Sequence, residues 1–290
     1  MVWVQAGDFL MGSDRFYREE RPVHRRNVDG FWIDRHLVTN RAFARFVDAT
    51  GYRTMAEQQP DPRLYPDAAP SLLAPGSSVF RKPQGPVSLG DYRAWWDYVP
   101  AANWRHPEGP GSDISDRMDH PVVHVGYDDA RAYAAWAGKS LPTEAEWEFA
   151  ARGGLDGAAY AWGDEPMPGG RIMANTWQGR FPWENLAEDG YEGTSPAGAF
   201  PANGYGLFDM IGNVWEWTDS PVTPHAAATH GCCSPGDNDP RTTRRIVKGG
   251  SHLCAPNYCL RFRPAARQAE PIDTSTSHIG FRCIRRPSPS

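Results

Sequence analysis

Apolar residues first recur at helical spacing just after residue 39. Phe43, Phe46 and Val47 lie at positions i, i+3 and i+4, which places their side chains on one face of a helix. Thr39 is typical of a helix N-terminus, and Gly51 is a typical stop. The pattern therefore predicts a helix that begins at Thr39 and ends at Gly51.

Two further helices are predicted in the middle of the chain. The first begins at Asp128 or Asp129, carries an apolar face and stops at Gly138. The second begins at Thr143, because residues 143–146 read Thr-Glu-Ala-Glu, which has the form of a capping box. This helix is predicted to end near residue 153, where two glycines follow one another.

Short apolar or alternating runs predict strands at both ends of the chain. Val2–Gln5 and Phe9–Gly12 flank an Ala-Gly-Asp segment and predict an N-terminal hairpin. Phe31–Ile33 predicts another short strand. Towards the C-terminus the best strand candidates are Arg245–His252 and His278–Arg285, the second of which alternates apolar and polar residues.

Residues 52–120 are dense in proline and glycine and show no lasting period. Because this segment carries Trp95, Trp96, Tyr98 and Trp104, we predict an ordered excursion rather than a solvated linker. The chain shows no internal repeat and no clear domain boundary. It therefore predicts one α+β domain over residues 1–290, with few helices, short strands and long ordered loops.

Composition excludes several classes of function. The 290 residues are 40% hydrophobic and 22% charged, as in globular proteins, and the formal net charge is −5. No run of more than two Lys or Arg residues occurs, which argues against nucleic-acid binding. No apolar run approaches the roughly 18 residues of a membrane span, and the N-terminus lacks the pattern of a secretory signal. We therefore expect a cytoplasmic protein with neither nucleic-acid nor membrane partners.

Cysteine usage gives the first indication of chemistry. The five cysteines are an odd count, which argues against a secreted disulfide framework. Cys254 and Cys259 lie five residues apart, and the Pro-Asn pair between them is a turn signal that would bring both sulfurs to one side. Two thiolates suit Cu(I), but buried apolar thiols or a redox disulfide fit the spacing as well. A zinc site that recruits Cys232 and Cys233 is a weaker alternative, because vicinal cysteines are awkward co-ligands.

A second cluster is acidic and rich in turns. Asn175 and Asp189 flank a loop with tryptophan and glycine, and Asp209 and Glu216 lie seven apart around a glycine turn. Carboxylates interleaved with turn carbonyls are the ligands that Ca²⁺ uses. The alternative is that these are solvated loop carboxylates.

Along nearly its whole length the chain resembles the formylglycine-generating enzyme (sulfatase-modifying factor) family. The resemblance includes Leu141–Glu148, Gly212–Trp217 and Gly280–Cys283, segments shared with superfamily members of other activities. A narrower motif, Ser-x-x-Cys-x-x-x-x-Cys, stands at Ser251–Cys259 and marks the formylglycine generators. The fold that the resemblance implies is this family's variant of the C-type-lectin-like architecture.

The resemblance implies an oxidase that converts the cysteine of a Cys-x-Pro-x-Arg segment in a sulfatase to Cα-formylglycine. It would use O₂, a thiol reductant and Cu(I), and would act as a monomer. Cys254 and Cys259 would bind the copper. Ser251 and Tyr258 match the family's hydroxyls beside it, and Trp215 would form the wall of an oxygen pocket.

The resemblance also implies calcium. Two structural Ca²⁺ sites would use side chains and backbone carbonyls, the first at Asn175, Thr176, Asp189 and Tyr191, and the second at Asp209, Gly212, Val214 and Glu216.

The arginine of the substrate segment should favour an acidic or aromatic pocket. Glu57, Trp104 and Arg105 lie in the loop region that we expect to frame the substrate groove. His278 stands where some members of the family have asparagine near that groove.

The chain departs from the family's secretory members in its cysteines. The position that would pair with Cys283 holds Ala151, and another bridge cysteine is replaced by Pro264, so Cys283 is expected to be a free thiol. Cys232 and Cys233 match no family motif and receive no role. The alternative functions are a non-catalytic lectin-like binding module and another superfamily oxidase on the same scaffold.

Overall fold

The computed structural model describes residues 1–223, 225 and 243–287. The first helix, α1 (Asn40–Thr50), has the predicted ends. The hydroxyl of Thr39 accepts a hydrogen bond from the backbone N–H of Ala42 at 3.3 Å, and Gly51 ends the helix with φ 66°. These contacts satisfy backbone groups that the helix termini leave unpaired.

The other two α-helices are also confirmed. The second, α2 (Tyr127–Trp136), begins one residue earlier than the sequence predicts, because the Asp129 carboxylate accepts the N–H of Gly126 and caps the helix from inside. The third, α3 (Glu144–Arg152), begins at the predicted capping box, in which the carboxylate of Glu146 accepts the N–H of Thr143 at 2.7 Å.

Strands of the described residues form small separate sheets. Their bounds are β1 (Val2–Val4), β2 (Gly7–Met11), β3 (His24–Val28), β4 (Phe31–Ile33), β5 (Gly76–Phe80), β6 (Trp96–Pro100), β7 (Trp215–Pro221), β8 (Arg244–Lys248), β9 (Arg267–Pro271), β10 (Ile279–Gly280) and β11 (Ile284–Arg285). The sheet orders are β1-β4-β11, β10-β7-β8-β9, β2-β3 and β5-β6. All neighbouring strands are antiparallel except β10 and β7, which run parallel.

The predicted N-terminal hairpin is wrong, although both of its strands exist. β1 pairs with β4, so that Val2 lies opposite Ile33, while β2 pairs with β3, so that Met11 lies opposite His24. Alternation along a chain shows which face of a strand is buried, but it leaves the partner undetermined. The two strands therefore belong to different sheets.

The segment from residue 52 to 120 is ordered, as its aromatic content predicts. It contains the β5–β6 pair and several short 3-10 helices. The sequence pattern did not predict this pair, because proline and glycine are dense in the segment. The 3-10 helices of the described chain are Arg18–Glu20, Met55–Glu57, Pro62–Leu64, Pro70–Leu73, Tyr92–Ala94 and Pro168–Gly170.

Two apolar clusters matter for the site. The large one packs α1, α2 and α3 around buried rings such as Phe43, Trp147 and Phe281, and includes Cys254. The small one consists of Trp95, Trp177, Phe181, Leu253 and Ala255. The segment around residue 254 therefore lies between the two clusters. No helix within the described residues is long and apolar enough to cross a bilayer.

His124 is a buried polar link between separate loops. Its Nδ1 lies 2.7 Å from the hydroxyl of Ser77, and its Nε2 donates to the carbonyl of Pro107 at 2.8 Å. Burial lowers the pKa of His124 to about 4. The unfolded chain therefore takes up a proton here at a higher pH than the folded chain does, so this residue makes stability fall as the pH drops from 6.5 towards 4.

Replacement of this residue, His124→Asn, should flatten that part of the pH dependence. Relative to the variant, the parent should lose on the order of 3 kcal/mol of unfolding free energy between pH 6.5 and pH 4. Urea titrations across this range measure the difference. The exposed His106→Asn is the matched control and should run parallel to the parent; equal slopes for all three proteins would contradict the assignment.

Candidate active site

The site forms where strand β8 ends. Gly249 and Gly250 follow the strand with φ of 93° and 73°, a region that favours glycine. A Cβ on Gly250 would lie 2.9 Å from the Cα of Phe262, so the chain also needs a residue without a side chain there. These two glycines explain why the strand predicted over Arg245–His252 stops at Lys248.

A tight turn then brings the two cysteines together. The N–H of Cys254 donates to the carbonyl of Ser251 at 2.9 Å, and the N–H of Cys259 donates to the carbonyl of Ala255 at 2.8 Å. The two sulfur atoms lie 3.1 Å apart, and both cysteines are free thiols. The prediction that the turn places both sulfurs on one side is confirmed.

The two thiols are electrostatically unequal. Cys254 is 2% exposed, and burial together with its sulfur neighbour raises the pKa of its thiol well above the usual value. The hydrogen bond from Cys254, with the nearby Arg261, lowers the pKa of Cys259 to about 7. At neutral pH the pair therefore approaches one thiol and one thiolate that share a hydrogen bond.

Ser251 lies directly beside the sulfur pair. Its backbone N–H donates to the sulfur of Cys254 at 3.4 Å, and its hydroxyl accepts the N–H of Leu253 at 3.2 Å. Because the residue is buried, the hydroxyl is fixed by the same turn that places the sulfurs.

Tyr258 stands at the mouth of the site and is 40% exposed. Its ring stacks on Phe181 at 4.6 Å between centroids and meets the edge of Trp95 at 5.5 Å. These two rings form an aromatic wall that the sequence did not single out. Only the tryptophan content of residues 52–120 pointed in that direction.

Trp215 lies deeper. It is buried on β7 in the same apolar cluster as Cys254, and its backbone N–H donates to the carbonyl of His278 at 2.9 Å. The imidazole of His278 lies 2.8 Å from the Thr276 hydroxyl and packs 4.9 Å from the ring of Trp96. Burial lowers the pKa of His278 to about 3, so this side chain is neutral.

The residues predicted to frame a substrate groove separate into two kinds. Arg105 lies 3.6 Å from the carboxylate of Glu57, and its guanidinium lies 4.1 Å from the ring centroid of Trp104. Trp104 itself is buried and packs against Phe43 at 5.1 Å. Glu57, Arg105 and His278 are therefore partly exposed, whereas Trp104 is not.

Two members of the first predicted calcium set accept hydrogen bonds from a single amide. Gln178 donates from Nε2 both to the carboxylate of Asp189 and to the carbonyl of Thr176. The other carboxylate oxygen accepts the N–H of Tyr191 at 2.9 Å, and burial raises the pKa of Asp189. Asn175 donates to a neighbouring backbone carbonyl from the adjacent loop. Two of the four predicted ligands, the Thr176 carbonyl and the Asp189 carboxylate, therefore lie close together, and Ca²⁺ takes about six to eight oxygens in all.

The second set is divided. Asp209 is buried and accepts the N–H of Gly198 at 2.6 Å, and burial raises its pKa to about 6 against the attraction of the nearby Arg282. Glu216 instead accepts from Arg282 at 2.7 and 2.9 Å and from the indole of Trp147 at 2.9 Å. Asp209 therefore fits a cation, whereas the charge of Glu216 already has a partner.

Within the described ranges, no group of three or more His, Cys, Asp or Glu side chains is arranged so that it could hold a metal ion. The zinc alternative depends on Cys232 and Cys233, which lie outside those ranges. Cys283, the predicted free thiol, is free and buried.

The short strands and few helices define an α+β protein, and its candidate site contains two adjacent thiols. Comparisons with known proteins identify its family. A model of the sulfatase-modifying factor enzyme 1-like domain matches residues 1–287. The chain is 58% identical to the formylglycine-generating enzyme of Mycobacterium tuberculosis, over 99% of this chain and 98% of that protein. It is 48% identical to the same enzyme of Thermomonospora curvata, over 99% of this chain and 93% of that one. The chain belongs to the formylglycine-generating enzyme family, as its motifs predict.

One further relative and one solved structure extend the comparison. The inactive Cα-formylglycine-generating enzyme 2 of Bos taurus is 41% identical over 98% of this chain and 87% of its own length. The solved structure of PvdO from Pseudomonas aeruginosa superposes with a TM-score of 0.65 at 24% identity, over 98% of this chain and 93% of that one, and shares the fold. The predicted fold class is confirmed.

The buried ion pair of Glu216 and Arg282 joins β7 to the carbonyls of Phe208 and Asp209, and Glu216→Gln should destabilise the protein. An arginine that keeps its charge but loses its buried partner costs about 3–5 kcal/mol. Urea unfolding in the presence of a calcium chelator measures this cost free of any metal effect. The exposed Glu192→Gln, which leaves Lys82 unpaired at the surface, should change stability by less than about 1 kcal/mol. Equal effects of the two variants would contradict the role of Glu216.

Proposed function

We propose that this chain converts the cysteine of a Cys-x-Pro-x-Arg segment in sulfatase polypeptides to Cα-formylglycine, with O₂ as oxidant and a thiol as reductant. We propose Cu(I), bound by Cys254 and Cys259, as the metal. The observation that carries the proposal is the 3.1 Å distance between the sulfurs of Cys254 and Cys259, two cysteines that form no disulfide and lie in the turn that follows β8. The names of the full-length relatives support the reaction.

The donor set fits a soft monovalent metal. Thiolates prefer Cu(I) among biological ions, and two of them satisfy an ion that accepts two ligands. Both sulfurs would bind the metal as thiolates. Cys259 is already close to the thiolate form, so Cys254 is the thiol that must lose its proton on binding. When bound, copper would supply the capacity to react with O₂ and to accept a substrate thiolate.

This chain's own residues would prepare the site for that chemistry. The rings of Tyr258, Phe181 and Trp95 would exclude bulk water from the side of the sulfurs that faces solvent. Ser251 and Tyr258 would present hydroxyls to the reacting oxygen atoms. Arg105 and Glu57 would contact the peptide, although the carboxylate of Glu57 also caps a short helix by accepting from Thr54.

Two structural calcium ions would stabilise the loops behind the site. Asn175, Thr176, Asp189 and Tyr191 would hold the first. Asp209, with carbonyls of the following turn, would hold the second. Glu216 would contribute to that site only while it also remains paired with Arg282. Such ions stabilise segments that lack regular hydrogen-bonded structure, as here.

Removal of either sulfur should abolish the reaction. Incubation of the purified protein with Cu(I), a thiol and a Cys-x-Pro-x-Arg peptide should yield the aldehyde, detected by mass spectrometry. Cys254→Ala and Cys259→Ala should each reduce the rate at least about a hundredfold, because each removes a metal ligand. Cys283→Ala removes a buried thiol that is separate from the pair and should keep its activity. Full activity in both ligand variants would refute the site assignment, and an unchanged peptide with no copper binding in the parent would favour a non-catalytic binding module.

Calcium should raise the thermal stability of the protein. An ion that binds only the folded state contributes about 2.7 kcal/mol at a hundred times its Kd. Calorimetry with Ca²⁺ or a chelator should therefore show a higher Tm with the ion. Asp189→Ala should reduce the shift, whereas the exposed neighbouring Glu188→Gln should retain it. A Tm that Ca²⁺ leaves unchanged would remove the calcium assignment.

A further inference from the structure

The turn that carries the two cysteines packs on a loop from an earlier part of the chain. At the start of the turn, the N–H of Trp177 donates to the carbonyl of Cys254 at 3.0 Å. At its end, next to Cys259, the ring of Tyr258 stacks on that of Phe181, with 4.6 Å between centroids and 9° between planes. Residues 177–181, which we call the supporting loop, therefore contact both ends of the turn.

Asn257 joins the tip of the turn to the same loop. Its Nδ2 donates to the carbonyl of Phe181 at 3.3 Å, and its Oδ1 accepts the N–H of Phe181 at 3.4 Å. One amide thus binds both backbone groups of one residue, which fixes its orientation as well as its position. The hydrogen bond from the N–H of Cys259 to the carbonyl of Ala255 lies within the turn, whereas the Asn257 amide links the turn to the supporting loop.

The supporting loop is itself held in place. Trp177 and Phe181 are 2% and 3% exposed, and both belong to the small apolar cluster. That cluster also contains Leu253 and Ala255, the two neighbours of Cys254 in the chain. Because a buried loop of this kind has little freedom to move, a turn that it contacts at the start, the tip and the end has few conformations available.

We propose that Asn257 is a positioning residue that holds the turn in the conformation in which the sulfurs of Cys254 and Cys259 meet. This inference rests on the proposed function, because it concerns the same pair of sulfurs. Asn257 is exposed at the tip of the turn, so its substitution removes two hydrogen bonds and leaves the core intact. Two thiols that a fixed turn holds together bind one ion, or form one bond, more readily than two thiols that move independently.

The disulfide equilibrium of the pair measures this effect without metal or turnover. In glutathione buffers the two thiols react with oxidised glutathione to give the Cys254–Cys259 disulfide and two molecules of reduced glutathione, and peptide mass spectrometry gives the fraction of disulfide. Asn257→Ala should lower this equilibrium constant at least about fivefold, as expected from the loss of two hydrogen bonds that restrict the turn. Asn27→Ala, which removes an exposed hydrogen bond between β3 and β2, is the matched control and should equal the parent.

Asn257→Ser separates the two hydrogen bonds from the turn preference of asparagine. Serine also favours turns, but its single hydroxyl can replace at most one of the two hydrogen bonds to Phe181. We therefore expect an equilibrium constant between those of the parent and Asn257→Ala. A serine variant that equals the parent would show that turn preference alone acts, and the proposal would then be refuted.

Anaerobic competition with a chromogenic Cu(I) chelator connects this inference to the proposed function. If the parent binds Cu(I), Asn257→Ala should bind it at least about fivefold more weakly, by the same loss of two hydrogen bonds. Equal binding would refute the role of Asn257 while the copper site stands. A parent that binds no Cu(I) would refute the copper site, and the disulfide equilibrium would then decide the role of Asn257. A disulfide constant that Asn257→Ala leaves unchanged, or a fall that Asn27→Ala reproduces, would overturn that role.

Discussion

Buried arginines that bind loop carbonyls are the interaction on which this structure depends. Arg282 reaches across the chain to Glu216 and to the carbonyls of Phe208 and Asp209 at 2.9 and 3.1 Å. Arg152 donates both to Glu148 and to the carbonyl of Gly12. A chain with so few helices leaves many backbone carbonyls without regular partners, and a buried carbonyl without a donor is expensive. The fork of the guanidinium supplies several donors from one residue, and a carboxylate balances its charge.

The sequence predicts local structure well where one residue carries the signal. Thr39, Gly51 and the capping box at Thr143 each act within four residues of the chain, so the helix ends could be located in advance. The partners of β1 and β2 could not, because pairing is decided by contacts between distant strands. The β5–β6 pair was hidden for a related reason: its strands are stabilised by packing that local propensity does not encode.

The candidate site also combines features that neighbouring residues determine with features that depend on distant contacts. The turn between Cys254 and Cys259 depends on neighbouring residues, and the Pro-Asn pair between them predicts it from the sequence. The rings of Trp95 and Phe181, and the pairing of Glu216 with Arg282, depend on residues far away along the chain. Trp104 shows the converse case, since a residue expected to frame the substrate groove has contacts here that are those of the core. The position of a residue in a loop does not show whether its side chain faces solvent or the core.

The 3-10 helix Arg18–Glu20 also affects how the protein is made. Glu19 and its partner Arg261 are 242 residues apart, so the segment that follows Cys259 is fixed only by one of the longest loop closures available to this chain. Contacts of such high sequence separation form late and slowly during folding. A nascent or partly unfolded polypeptide therefore has both cysteines before it has the long-range contact that fixes the segment beside them.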